Sequence, residues 1–311
     1  MFFISEFLKQ ILEYIFAFVG NYGWSVVLFT LLIRMVLLPL DIKSKKSMRR
    51  VTDLQPKVNA LQAKYANDRD KLNQKMSELY RKEKVSPMSG CLPMLLSMPI
   101  LFCMFDAMRV VANEHTVQML LNMMNGTFDP AQMQSWLWIK NVYQPDSFLS
   151  TIIPAIGDQL SAIGPISGTL LTEQNLTLVR EFLKTPEYAA IAAQMGGATY
   201  LYQAPMLFWT IQIPAQFNGL FLLPILAGVT QFLTTQLTTP ANQTSQQQSQ
   251  NAIMKWFFPL FSVWICATYN AAFSIYWVAV NIIMMVQQVV INYFLDKKSK
   301  SLSAPEEVTK P

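Results

Sequence analysis

The sequence predicts an all-α polytopic membrane protein with five transmembrane helices, an external N-terminus and a cytoplasmic C-terminus. It adds a cytoplasmic helical hairpin and an external interfacial helix. Three observations predict this class. Hydrophobic residues make up 52% of the 311-residue chain and charged residues only 14%, against about 25% charged in an ordinary soluble domain. Apolar runs recur at lengths that suit a bilayer, which a helix crosses in about 20 residues. The net charge of +5 hides a division: residues 40–88 hold thirteen of the 24 Lys and Arg, whereas 113–217 hold three (Lys140, Arg180, Lys184) against seven acidic residues. Basic loops stay on the cytoplasmic side, which sets the orientation.

Residues 1–20 read as an external amphipathic helix, because Phe3, Phe7, Tyr14 and Phe18 recur at helical spacing with Glu6, Lys9 and Glu13 between them. The stretch lacks the positive start and small-residue cleavage site of a signal peptide; an uncleaved signal anchor is the alternative. Residues 21–40 form the first span and 41–87 a basic cytoplasmic hairpin. In the hairpin Val51, Leu54, Val58, Leu61 and Tyr65, then Leu72, Met76 and Leu79, step at three and four residues, which places each set on one helix face. Asp68 is the expected N-cap of the second hairpin helix and Ser86-Pro87 its end. This arm suits anionic lipid, and equally the docking of a polypeptide or a ribosome.

The second span, 88–112, carries Pro93 and Pro99, which neighbouring helices can accommodate in a bilayer. An external segment follows at 113–216, with an amphipathic helix expected near 176–195. Its stretch 200–215 is apolar but interrupted by Gln203, Pro205, Gln212 and Pro214, and reads as interfacial or re-entrant. The third span is 217–238, a Gln-rich cytoplasmic loop 239–255, and the fourth and fifth spans 256–295, a run without one charged residue. Their turn falls near Asn270 to Ser274, and 296–311 is a cytoplasmic tail.

Enzymatic chemistry finds no footing. Cys91, Cys103 and Cys266 lie in apolar runs without metal-ligand spacing, and His115 is the single histidine. A phosphate-binding Gly-rich loop and a nucleophile constellation are both missing from the sequence. We expect no enzyme, cofactor or metal, and no specific nucleic acid as partner.

Arg34 is the informative residue. An arginine near the centre of a spanning helix costs roughly 2.5 to 3.5 kcal/mol on insertion scales. It stands five residues before Pro39, about 7 to 8 Å from the cytoplasmic end of its helix at 1.5 Å per residue. It would snorkel to the headgroups but for the lean of helical side chains toward the N-terminus, which starts it deeper. Polar residues sit at matching depth: Thr30 one turn away, Gln231 with Thr230, Thr234 and Thr235 in the third span, and Gln287 and Gln288 in the fifth. Trp277, Asn281 and Gln288 share one face of the last helix. Singly, each Gln or Thr reads as an interhelical hydrogen bond. Together around an arginine with no carboxylate at its depth, they favour a water-filled cavity suited to mobile anions.

The stretch Leu31-Leu-Ile-Arg34-Met-Val-Leu-Leu-Pro-Leu40, with Lys43-Ser-Lys-Lys-Ser-Met48 and Leu54-Gln-Pro56-Lys57, resembles the YidC/Oxa/Alb membrane protein insertase family. Gly90-Cys91-Leu-Pro93, Met98-Pro99-Ile100, Leu223-Pro-Ile-Leu-Ala-Gly228, Tyr276-Trp277 and Gln287-Gln288 continue the match through all five spans. The resemblance implies a multi-pass insertase of the bacterial plasma membrane, of the short form without a large external domain. It also implies a positively charged, hydrated groove open to the cytoplasm and to lipid and closed to the outside. The groove arginine maps onto Arg34, and further groove positions onto Gln231 and Trp277, where one sequence leaves the register of the spans open. The expected groove residues are therefore Arg34, Thr30, Gln231, Trp277, Asn281 and Gln288. Partners would be nascent membrane proteins, the Sec translocon, the ribosome and anionic lipid.

The chain departs from the family pattern after Trp138-Ile-Lys140 and Gln144-Pro-Asp146, where about sixty residues near 154–216 precede the third span. Two other readings compete: a small-anion transporter, although no internal repeat of the kind transporters show is present, and an assembly chaperone without insertion activity.

Overall fold

The computed structural model describes residues 2–84, 92–154, 170–195, 201–205, 210–214, 217–238 and 245–303. The expected end of the hairpin at Ser86-Pro87 and the Gln-rich loop up to residue 244 lie outside the described residues. Helix α1 is Phe2–Val19. Gly20 stops it with a φ of +73°, a left-handed conformation glycine adopts without strain. Asn21 then opens α2, Tyr22–Asp53, its side chain accepting from the Trp24 amide at 3.2 Å. The aromatic side of α1 is exposed at Phe7, Tyr14 and Phe18, while Leu8 and Leu12 pack inward. Lys9 is buried and pairs with Glu114 at 2.6 Å. Burial alone would lower the Lys9 pKa; the Glu114 carboxylate outweighs it and holds the ammonium above its ordinary value.

Helix α2 continues through Pro39 for 32 residues, about 48 Å at 1.5 Å per residue. The hairpin is α3, Gln55–Lys64, and α4, Arg69–Lys82. The first hairpin stripe, from Val51 to Tyr65, divides at Leu54, because Pro56 near the start of α3 takes no part in a continuing ladder. Asp68 caps α4 through the Lys71 amide at 3.0 Å, as its spacing predicts.

Helix α5, Leu92–Met124, is 33 residues long and overruns the second span by three to four turns. Its last turns join a separate apolar core with α6, Glu173–Phe182, and α7, Pro186–Met195. Val117, Leu120, Leu176, Val179 and Tyr188 are its most buried members. The single amphipathic helix expected near 176–195 is thus two, broken before Pro186. The stretch expected to be interfacial contains a β-hairpin, β1 (Leu201–Pro205) antiparallel to β2 (Thr210–Pro214), with Gln203 opposite Gln212. The rest of the described regular structure is helical, as expected, and this hairpin is the exception: Ile211 and Ile213 alternate with polar residues, a period-two pattern with β-branched side chains, and pairing satisfies the backbone.

Helices α8 (Leu222–Thr238), α9 (Ser245–Thr268) and α10 (Ala271–Ser303) complete the fold. Helix α8 packs between α9 and α10, and α10 also packs against α2. Gly228 brings α8 and α9 together, since a Cβ there would stand 2.5 Å from Val263 Cγ2. The turn between α9 and α10 sits at residues 269–270, with Asn270 Oδ1 accepting from the Phe273 amide at 2.9 Å. Among the described residues, 22–64 and 271–295 include helix long and apolar enough to cross a membrane, and Leu222–Thr238 is a shorter apolar helix.

Candidate functional site

A cavity of about 200 Å³ lies among the long helices. Helix α2 lines it with Thr30, Ile33, Arg34 and Leu37, α8 with Gln231 and Thr234, and α10 with Tyr276, Trp277, Asn281 and Met284; Leu101 of α5 and Phe258 of α9 close its sides. Five of the six sequence-predicted groove residues (Arg34, Thr30, Gln231, Trp277 and Asn281) therefore meet in one place. Gln288 does not. It lies two turns beyond Asn281 and reaches the carbonyl of Leu237 at the end of α8 at 3.5 Å. Its neighbour Gln287 instead donates to the Arg34 carbonyl at 3.3 Å, close to the rung of the α2 ladder that Pro39 removes.

The polar wall is only partly satisfied. Thr30 spends its hydroxyl on the Val26 carbonyl at 2.7 Å. Asn281 Nδ2 donates to Thr230 Oγ1 at 3.4 Å and Thr234 Oγ1 to the Asn281 carbonyl at 3.4 Å, long contacts that hold α8 loosely against α10. The buried Trp277 indole N–H has no hydrogen-bond partner among the described residues. Such a donor can take a carbonyl or carboxylate that enters the cavity.

Arg34 corrects two expectations. Its guanidinium has a carboxylate neighbour, Asp41 Oδ2, 3.9 Å from Nη1, with the two side chains 13% and 32% exposed. Asp41 lies two turns toward the C-terminus of α2, so the arginine extends along the helix opposite to the usual lean of helical side chains. No sequence signal placed Asp41 beside it, because an i,i+7 pair spans about 10 Å of helix rise, which the two side chains bridge only by reaching toward each other. Tyr276, on the same wall, was also not singled out for this role.

The far end of the bundle is closed by a loop. Asp146, fully buried, accepts from Trp138 Nε1 at 3.0 Å and from the amides of Leu220, Phe221 and Leu223 at 2.9, 3.1 and 2.7 Å. It therefore caps the N-terminus of α8, where a carboxylate also faces the positive end of the helix dipole. Burial pushes the Asp146 carboxyl above its ordinary pKa, and the four donors pull it back. The carbonyls of Gln144 and Val142 accept from Ala271 and Ala272 at 2.9 and 2.8 Å, so the same loop caps α10. Asn218 locks it, donating to the carbonyls of Asn141, Gln144 and Pro145. The sequence marked Gln144-Pro-Asp146 as a motif without its role as a plug.

Long apolar helices around a cavity lined by one arginine and several polar side chains define an integral membrane protein with a polar site inside the bundle. The chain belongs to the 60Kd inner membrane protein family, whose model matches residues 14–298. It is 29% identical to the membrane protein insertase YidC of Campylobacter jejuni over 296 residues, 95% of this chain and 39% of that protein. It is 45% identical to that of Fusobacterium nucleatum over 113 residues, 35% of this chain and 55% of that protein. Similarity to that of Caldanaerobacter subterraneus runs at 26% over 299 residues, 96% of this chain and 97% of that protein. The chain thus spans about two-fifths to a half of the length of several relatives it matches.

Proposed function

We propose that the chain is a membrane protein insertase and folding chaperone of the bacterial plasma membrane, acting through the Arg34 cavity. In this reading α2, α5, α8, α9 and α10 supply five spans, with the N-terminus external and the C-terminus cytoplasmic. Helix α1 lies on the outer surface through Phe7, Tyr14 and Phe18, and α3 and α4 form the cytoplasmic arm for anionic lipid, nascent chain, ribosome or Sec translocon. The observation that carries the reading is the cavity itself: an arginine, with a Trp277 N–H that has no partner among the described residues, lies among apolar helices, and the Asp146 loop caps the starts of α8 and α10.

The physics follows from these groups. The barrier to inserting a client is moving its polar external segment through about 30 Å of hydrocarbon. A polar notch shortens that dry path and supplies donors in place of lost water. Arg34 attracts acidic residues of the segment inward, while the client's own apolar helix partitions into lipid at roughly 25 cal/mol per Å² removed from water. A membrane potential adds about 2.3 kcal/mol per charge per 100 mV for an acidic segment moving outward. No nucleotide is required.

Reconstitution into liposomes with a single-span client bearing an acidic external tail tests the proposal through protease protection of that tail. Wild type and Arg34→Lys should protect it, and Arg34→Ala should not. Equal protection by all three would overturn the role of charge; loss with Ala alone would separate insertion from a chaperone that packs helices through apolar contacts.

A further inference from the structure

Arg34 is not an empty cation. Asp41 stands 3.9 Å from its guanidinium, close enough to neutralise it and too far for a direct hydrogen bond. Its own surroundings do not fix it: Asp41 is half-buried, and the third charge nearby is Lys45, one turn further along α2. Burial pushes the Asp41 carboxyl above its ordinary value, and Arg34 and Lys45 pull it down. Burial likewise lowers the Lys45 pKa, with Asp41 opposing. A carboxylate sharing two cations across a long gap is a weakly held ligand. It also draws the arginine toward the C-terminal end of α2.

We propose that Asp41 is a built-in counter-ion that occupies the Arg34 site in the absence of a client, and that an acidic residue of the client must displace it. The inference rests on the insertase reading and deepens it: Asp41 sets how much negative charge a client must bring. A client carboxylate does so by exchange, one ion pair replacing another, with the freed Asp41 turning to Lys45 and the cytoplasmic water. Clients with neutral tails meet a site already neutralised and gain nothing from Arg34. The device costs little, because a loose pair in a partly wet site binds far less tightly than a hydrogen-bonded one, and it keeps stray anions from a cation buried inside the membrane.

Two readouts on the full chain in liposomes test this. The first measures the potential at the site without any client. Leu37 lines the cavity one turn from Arg34; in a Leu37→Cys, Cys91→Ser chain, the rates of modification by a negatively and a positively charged methanethiosulfonate reagent are compared. Cys103 and Cys266 are buried, and the Leu37-intact chain gives their background. Removing one opposed unit charge within a few ångströms should change such a ratio by about tenfold. Asp41→Asn should therefore raise the preference for the negative reagent about tenfold, Arg34→Ala should lower it, and Asp41→Glu should hold it near wild type. An unchanged ratio in Asp41→Asn overturns the proposal.

The second readout is insertion of single-span clients carrying zero, one or two aspartates in the external tail. Asp41→Asn should speed the one-aspartate client several-fold and leave the zero-aspartate client as it is. If the reagent ratio shifts but the charge dependence of insertion does not, displacement by the client is overturned. If neither wild type nor variant inserts any client, the insertase reading falls, and the reagent ratio still decides whether Asp41 neutralises Arg34.

Discussion

Two carboxylates in this chain illustrate opposite uses of a buried charge. Asp146 is fully enclosed and receives four donors at 2.7 to 3.1 Å, three from the start of α8 and one from Trp138. Asp41 is half-buried and has a cation at 3.9 Å. The first carboxylate is saturated, so moving it would leave four N–H groups without this partner, two of them fully buried. The second can leave with little loss. The saturated one holds a loop onto the starts of α8 and α10, and the loose one stands beside the cavity through which the proposed function passes a client.

The comparison breaks most directly at Asp146. Asp146→Ala should cost about 3 to 5 kcal/mol, the range for removing one partner from a buried charged network. Asp146→Asn should cost less, because its amide oxygen keeps part of the acceptor set while its NH₂ faces donors. Thermal unfolding in detergent reads both. Arg34→Ala in the same assay should shift unfolding little. If the two substitutions proved equally destabilising, the division between a structural carboxylate and a working cation would not hold.

A subtler break leaves the carboxylate in place and crowds it. A Cβ on Gly219 would stand 2.0 Å from Asp146 Oδ1, so Gly219→Ala must push the carboxylate off the α8 amides. The expected cost is about 1 to 3 kcal/mol, typical of overpacking a tight site. Adding Asp146→Asn to Gly219→Ala should cost less than the sum of the two, since they disrupt one network. Additive losses would mean that the glycine matters for another reason.

Lys140, in the same loop, gives the plug a pH signature. Burial lowers its ammonium pKa from 10.5 to about 8. The folded chain therefore releases this proton earlier than the unfolded chain, and between about pH 8 and 10.5 the unfolded state holds more protons. Stability then rises with pH in that window, by at most about 1.4 kcal/mol per pH unit from this group. Unfolding measured at pH 8 and 9 should show the gain in wild type and lose it in Lys140→Met. An identical slope in both would place the effect elsewhere.

The sequence makes the long helices legible, because apolar length and the asymmetry of Lys and Arg are strong signals of membrane-facing helices. Helical rise sets Thr30 and Gln231 at the depth of Arg34, and both line the cavity with it. The same reasoning puts Gln288 there, whereas the cavity takes Trp277 and Asn281, which the sequence ties to Gln288 only by a shared helix face. The sequence fails where geometry depends on a bend or a reach. Gln288 and Gln287 differ by one position on α10, yet one turns to α8 and the other to α2, a rotation that depends on how α10 packs. Asp41 meets Arg34 across two turns of α2 beside Pro39, a reach that periodicity does not encode. The hairpin of β1 and β2 hides in a stretch whose glutamines and prolines read as interruptions of a helix. The role of Asp146 required knowing that the loop folds back on the start of α8, 76 residues downstream.

The mildest prediction concerns the cavity wall. Asn281 and Thr234 join α10 to α8 through contacts of 3.4 Å, one to the Thr230 hydroxyl and one to the Asn281 carbonyl. Interhelical hydrogen bonds of this kind inside membranes average about 0.6 kcal/mol. Asn281→Ala should therefore lower stability by about 0.5 to 1 kcal/mol, far less than the loss of Asp146, and Thr234→Val should act similarly. The contrast sharpens if Asn281→Ala slows insertion of an acidic-tailed client more than its stability loss explains, because the side chain then serves the entering segment rather than the fold. Insertion that stays at wild-type rate would confine Asn281 to packing and leave Arg34 and Trp277 as the polar groups that meet the client.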